Sequence, residues 1–271
     1  MEAEKVGEGS AAHRASLAAD ALVGRAPGKQ LALEVRRMWA IAAAARIAHE
    51  LGVEEVRLAT VARRAGIGED ALSALFADRE ELLAAAFGTA CILAAERAIP
   101  HYMIEVGPVQ RLRAGVAQLL AFHDAEPELS SICLNEAPEL ATQRAGVRRL
   151  LARVICEELD TCFPPAVSPG EIEMAVARAL EVVRRARGET PAGRAEALLA
   201  AVMQEILTPH LGTATAQIEA SLPAPEVLTT PRRLYADGRA GLDVRLTAHL
   251  LGSRSKRLSR PLDGSDGRQP R

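Results

Sequence analysis

The sequence predicts an all-α protein, and three observations carry that prediction. The 271 residues include 53 Ala and 34 Leu. Aromatic residues make up only 3% of the chain, so short aliphatic side chains must fill the core. Apolar positions recur with a helical period from Val35 to about Gly212, and no segment shows sustained two-residue alternation. Ala is the best helix former and a poor strand former, so a core rich in it is a core of closely packed helices. With 49% apolar residues, the chain has enough material for one large or two small domains.

Charge and cysteine content narrow the function classes. The net charge is -2, with 30 Arg and 3 Lys against 35 acids, so global charge implies no nucleic-acid partner. No apolar run approaches the roughly 18 residues of a membrane span. The first residues carry acids and no apolar stretch, unlike a secretory signal, so a cytoplasmic protein is expected. Cys91, Cys133, Cys156 and Cys162 sit in helical patterns without CxxC spacing, which fits reduced thiols better than a disulfide framework or a zinc site. No HExxH, Gly-rich phosphate loop, paired carboxylates or nucleophile–base spacing is present in the sequence. No catalytic residue, cofactor or metal is therefore expected.

Residues 1–34 read as a loose tail, with a short helix around residues 11–22. A helix is expected over residues 35–51, with Ile41, Ala44, Ala45 and Ala48 on one face and Gly52 as its stop. A short helix follows at residues 58–64, with Leu58, Val61, Ala62 and Ala65 facing inward. Ala65-Gly66-Ile67 then makes a tight turn, because Gly66 can take a positive φ and Ile67 can plug the corner. Residues 69–75 form a second short helix, with Leu72, Leu75 and Phe76 apolar. Asp78 is a good N-cap for a long helix to about Ile99, and Glu81 at the third position completes a capping-box pair. Two short helices joined by a Gly-containing turn make a helix-turn-helix over residues 35–88, whose second short helix would enter a DNA major groove.

Residues 41–87 resemble the N-terminal domain of TetR/AcrR-type transcriptional regulators. The matching features are the Ala-rich first helix ending in Glu50-Leu51-Gly52, then Val61-Ala62, Ala65-Gly66-Ile67, Leu72, Phe76 and Arg79-Glu80-Glu81-Leu82. A looser likeness reaches Pro209-His210-Leu211-Gly212. The departures are Arg57 and Gly68, where the family has hydroxyl caps, and a reading helix that opens on Glu69-Asp70-Ala71-Leu72-Ser73. The resemblance implies DNA contact by Gly68, Glu69, Asp70, Ala71 and Ser73, with Arg79 where the family has a phosphate-binding Lys; Arg57, Arg63, Arg64 and Arg79 are each either a phosphate contact or a plain solvated surface residue. Glu69 or Asp70 either accepts from cytosine N4 or only complements the helix dipole, while both carboxylates oppose phosphate.

Residues 89–212 are expected to form a second helical domain. Its helices fall near residues 108–124, 128–136, 139–162, 170–187 and 192–211. The last two carry Met174, Ala177, Val182, Ala197, Leu198, Ala201, Val202 and Ile206 on a small-residue face. By resemblance that face is a homodimer interface; plain burial inside one subunit is the alternative. Phe87, Cys91, Leu119, His123, Cys133 and Glu136 are the candidate ligand-binding residues for a largely apolar small-molecule effector. Residues 213–271 read as a largely disordered extension, with one possible helix near residues 242–251. Arg254, Lys256, Arg257 and Arg260 form a basic run there, either a solvated tail or a weak phosphate contact. The resulting expectation is a dimeric repressor released from a double-stranded operator by its effector. The alternative is a regulator-fold binding module with weakened DNA reading, which the acidic reading helix favours.

Overall fold

The computed structural model of the chain describes residues 29–163, 167–186 and 194–223, and every regular element among them is helical. The short helices expected near residues 11–22 and 242–251, and the basic run at residues 254–260, lie outside the described residues. In order, the helices are α1 (Lys29–Leu51), α2 (Leu58–Ala65), α3 (Glu69–Ser73), α4 (Arg79–Ile104) and α5 (Pro108–Ala125). They continue as α6 (Pro127–Leu134), α7 (Ala141–Asp160), α8 (Pro169–Ala186) and α9 (Arg194–Ala220). Single 3₁₀ turns at Val53–Glu55 and Pro138–Leu140 join α1 to α2 and α6 to α7. This is an all-α fold, with a helix-turn-helix unit at the N-terminal end and a second helical unit after it.

The spine of the first unit is α1. Its apolar residues extend beyond a single stripe: Ala40, Ala42, Ala43, Ala44 and Ala45 are each at most 1% exposed. Small side chains let backbones approach from several sides, and α2, α4 and α6 all pack on this helix. Lys29, the first described residue, is already helical, ahead of the expected start at Val35. Its core does not stop at residue 88. Phe122, Leu129, Ile132, Ala137 and Leu140 belong to the same buried cluster as Ile41, Leu72 and Phe76. A second cluster, built from α5, α7, α8 and α9, includes Leu112, Leu159, Ile172 and Met203.

Local capping sets the start of α4. The Asp78 carboxylate accepts from the Glu81 N–H at 2.8 Å, and the Glu81 carboxylate accepts from the Ala77 N–H at 2.8 Å. The helix passes through Pro100 to Ile104, five residues beyond the expected end. Among the described residues, α4 is also long and apolar enough to cross a membrane by length and composition, a test that the core helix of a packed domain passes as well. It packs on α1, α5 and α6 and places Leu82, Leu83 and Phe87 in the core.

The end of α9 corrects the expected boundary at residue 212. Gly212 takes φ 70 and ψ 161, a break in the helix, yet helical structure resumes and runs to Ala220. A long-range contact holds that last stretch. Arg113 of α5 is 3% exposed, and its guanidinium donates to the carbonyl of Leu222 at 3.1 Å and to that of Glu219. A buried guanidinium must find acceptors, and the carbonyls in and just beyond the last turn of the helix supply them. Ala216 and Ala220 are buried beside it.

Candidate nucleic-acid interface

The reading turn follows from three local features. Gly66 ends α2 in the left-handed region at φ 67, a conformation that a Cβ would strain. The Ile67 N–H then donates to the Ala62 carbonyl at 2.9 Å, closing the α2 terminus, and the Ile67 side chain is 9% exposed in the corner. Helix α3 is only five residues long, and Leu72 and Phe76 anchor it, both fully buried. Beyond Ser73 the chain makes a turn in which the Leu75 and Phe76 N–H groups both donate to the Leu72 carbonyl. The expected helix through Leu75 is therefore shorter than its hydrophobic pattern suggested.

The two departures from the family pattern have structural consequences. Arg57 and Gly68 occupy the N-cap positions of α2 and α3 in extended conformation, and neither supplies a side-chain cap. Gly68, Glu69, Asp70, Ser73 and Ala74 are exposed, so the outer face of α3 presents two carboxylates and one hydroxyl. Ala71, named from the sequence as part of that face, is half-buried against the core.

The four basic candidates are not equivalent. Arg63 is exposed. Arg57 is exposed and lies 3.6 Å from the Glu55 carboxylate. Arg64 donates to both carboxylate oxygens of Glu50 at 2.6 Å, which joins the end of α2 to the end of α1. Arg79 is held most firmly. It donates to the carbonyls of Val56 and Val53, each at 2.9 Å, and pairs with the Glu139 carboxylate. These contacts within the chain compete with the phosphate role that the resemblance implies for Arg79. Its planar fork already serves three acceptors, tying the loop before α2 to the 3₁₀ turn before α7.

One contributor was missed by the sequence reading. Arg37 of α1 donates to the Leu75 carbonyl at 3.0 Å, and its guanidinium lies 4.4 Å from the centre of the Phe76 ring. It buttresses the turn that follows α3. Only a residue separation of 38 connects the two positions, and no local pattern encodes that pairing.

The six effector candidates divide. Phe87 is buried, and Cys91 and Cys133 are half-buried against the same cluster. Leu119 and His123 are half-buried on α5, where the His123 ring is 2.6 Å from the Ser130 hydroxyl. Glu136 lies outside the core: its side chain is 73% exposed and sits 3.6 Å from Arg184. Helix α6 ends at Leu134, so Glu136 falls in the extended joint after it, where a carboxylate stays solvated. A different concavity, an open groove of about 480 Å³, is lined by Ser168, Gly170, Glu171, Met174, Arg178, Thr208 and Pro209. No metal-holding group of His, Cys, Asp and Glu occurs among the described residues.

No protein-family model matches this sequence, and no curated protein does. Among solved structures, the chain is similar to a TetR family transcription regulator from Marinobacter aquaeolei VT8. The TM-score is 0.52 at 18% identity, covering 64% of this chain and 94% of the other. At that identity the likeness bears on architecture. The architecture of this chain is that of a TetR-type regulator: a helix-turn-helix head joined by one long helix to a second helical unit.

Proposed function

We propose that this chain is a dimeric DNA-binding transcriptional regulator, a repressor released from its operator by a largely apolar small molecule, and not an enzyme. The observation that supports it best is the α2–Gly66-Ile67–α3 turn, anchored by Leu72 and Phe76 and continued into a capped α4. The head would dock α3 in the major groove, and a symmetric partner would place a second head about 34–36 Å away. Effector binding would favour a conformer in which that spacing is lost. Such a regulator works in the cytoplasm. Selection of binding sites from random duplex DNA with purified protein tests the reading. Enrichment of a two-fold symmetric site supports it, and no duplex binding even at low salt overturns it.

The exposed carboxylates on α3 favour a second reading, a regulator-fold binding module with weakened DNA contact. Changing both Glu69 and Asp70 to Ala separates the possibilities. If the acids only repel phosphate, affinity rises for all sequences alike, the outcome expected here. If one accepts from cytosine, affinity for the selected site falls by roughly 1–3 kcal/mol per lost contact while non-specific binding rises. Both are read by titration against selected and scrambled duplexes.

In this reading the dimer interface lies on α8 and α9. Met174 is 59% exposed on α8, and Ala177 on α8 and Leu198 and Ala201 on α9 are half-buried. Val202 and Ile206 already pack inside the subunit, so they would stiffen the interface from behind. The Ala197 side chain lies outside the described residues. Ala201→Arg would bury an unpaired charge in the contact and is expected to give a monomer at micromolar concentration. Sedimentation that finds an unchanged dimer, or a monomeric wild type, would count against this interface.

A further inference from the structure

One ion pair holds the joint between α3 and α4. Arg37 of α1 donates from Nη1 to the Leu75 carbonyl at 3.0 Å, and the same nitrogen lies 3.9 Å from Glu81 Oε1 at the start of α4. Its guanidinium sits 4.4 Å from the centre of the Phe76 ring. The other Glu81 oxygen, Oε2, accepts from the Ala77 N–H at 2.8 Å. Leu75, Phe76 and Ala77 are thus gripped in turn through a carbonyl, a ring and an N–H. At the opposite end of α3, Gly68 supplies no side-chain cap. We propose that Arg37, braced by Glu81, is the positioning residue of the reading helix: it fixes the orientation of α3 and, through it, the discrimination between DNA sequences. The second half of this inference rests on the DNA-reading proposal, and the first half does not.

A five-residue helix is too short to be stable alone, so its placement comes from tertiary contacts. Leu72 and Phe76 are fully buried and set how deeply α3 sits. Apolar burial is non-directional, so it restrains small tilts and rotations weakly. Hydrogen bonds weaken steeply away from alignment, and a planar guanidinium holds its donors in a fixed fork. Arg37 therefore supplies the angular restraint that the apolar anchors lack. The helix that carries it is itself fixed in the core, since Val35, Met38 and Ala40 on either side of Arg37 are buried.

Angular error matters most for base reading. Glu69, Asp70 and Ser73 are exposed on the outer face of α3. Contacts to base edges need donors and acceptors in register, whereas phosphate contacts hold the protein on any sequence. A tilted α3 would lose affinity for a selected site and keep its affinity for a scrambled duplex. The Arg37 side chain is 39% exposed, so a direct phosphate contact is the competing role. Salt dependence tells the two apart, because loss of a phosphate contact lowers the slope of log affinity against log salt by about 0.9 on every sequence.

The test compares the full wild-type chain with Arg37→Ala and Arg37→Lys, the second keeping the charge and the stem but not the fork. Arg36→Ala, at an exposed neighbour, controls for loss of a nearby charge. Amide hydrogen exchange without DNA comes first. Residues 72–77 should exchange about tenfold faster or more in both Arg37 variants, the effect of losing one charge-assisted hydrogen bond, while residues 82–98 of α4 and the Arg36→Ala control match the wild type. No acceleration at residues 72–77, an equal acceleration throughout α1 and α4, or full rescue by Arg37→Lys overturns the proposal. Titration against selected and scrambled duplexes at several salt concentrations comes second. The preference for the selected duplex should fall about tenfold in both variants, with scrambled-duplex affinity and the salt slope unchanged. Equal weakening on every sequence with a lower slope in Arg37→Ala would make Arg37 a phosphate contact and overturn the proposal. Absence of duplex binding by the wild type would remove the DNA reading and the discrimination with it, and the exchange result would still decide whether Arg37 places α3.

Discussion

Phe76→Ala is expected to lower stability by about 3–5 kcal/mol, the usual cost of truncating a buried aromatic side chain. Phe76 is fully buried, and it is the last anchor of the five-residue α3. Its ring also faces the Arg37 guanidinium at 4.4 Å, so truncation removes a cation–π contact along with the packing. So short a helix has little stability of its own, and its position depends on Leu72 and Phe76. Urea denaturation checks the prediction: the midpoint should fall with the slope unchanged. Phe76→Leu, which keeps most of the volume, should cost far less. A loss below roughly 1 kcal/mol for the Ala variant would mean that the ring does not anchor the turn.

Arg79→Ala is expected to act on stability and not on phosphate. The variant removes three charge-assisted contacts at once, to the Val53 and Val56 carbonyls and to Glu139. The expected loss is about 1.5–3 kcal/mol, because the partners are left partly enclosed without a donor. Arg79→Lys should not restore it, since a single ammonium cannot span acceptors arranged for a planar fork. The salt dependence of DNA binding separates this role from a phosphate contact. Loss of one phosphate contact lowers the slope of log affinity against log salt by about 0.9. That drop is expected for the exposed Arg63→Ala and not for Arg79→Ala. Unaltered stability together with a reduced slope for Arg79→Ala would return this residue to the DNA surface.

The features legible in advance share one property: their causes lie within a few residues. The turn at Gly66 needs only a residue that tolerates positive φ, and the start of α4 needs only Asp78 and Glu81 three residues apart. The short α2 face of Val61 and Ala62 likewise follows from spacing alone. What escaped were contacts between distant residues. Arg64 could be seen as a surface charge, but not that it would grip Glu50, and nothing in its neighbourhood points to that partner. Glu136 sat in an apolar context and so resembled a pocket group, yet α6 stops two residues earlier and leaves it in solvent.

By itself the sequence determined the helical class, the order of the helices, and the position of the reading turn with its acidic outer face. Those depend on backbone propensity, apolar period and capping, all of which are local. Only the tertiary structure decided which guanidinium groups remain available. Of the basic residues named for DNA contact, Arg64 and Arg79 are spent on protein acceptors 14 or more residues away, and Arg63 stays exposed. It also decided that α9 continues past Gly212 to a place where Arg113 on another helix donates to the carbonyls of Glu219, in its last turn, and Leu222, just beyond it. A long cationic side chain has many reachable acceptors. Which one it takes is settled by the packing of the helices that carry both partners, and no local pattern encodes that choice.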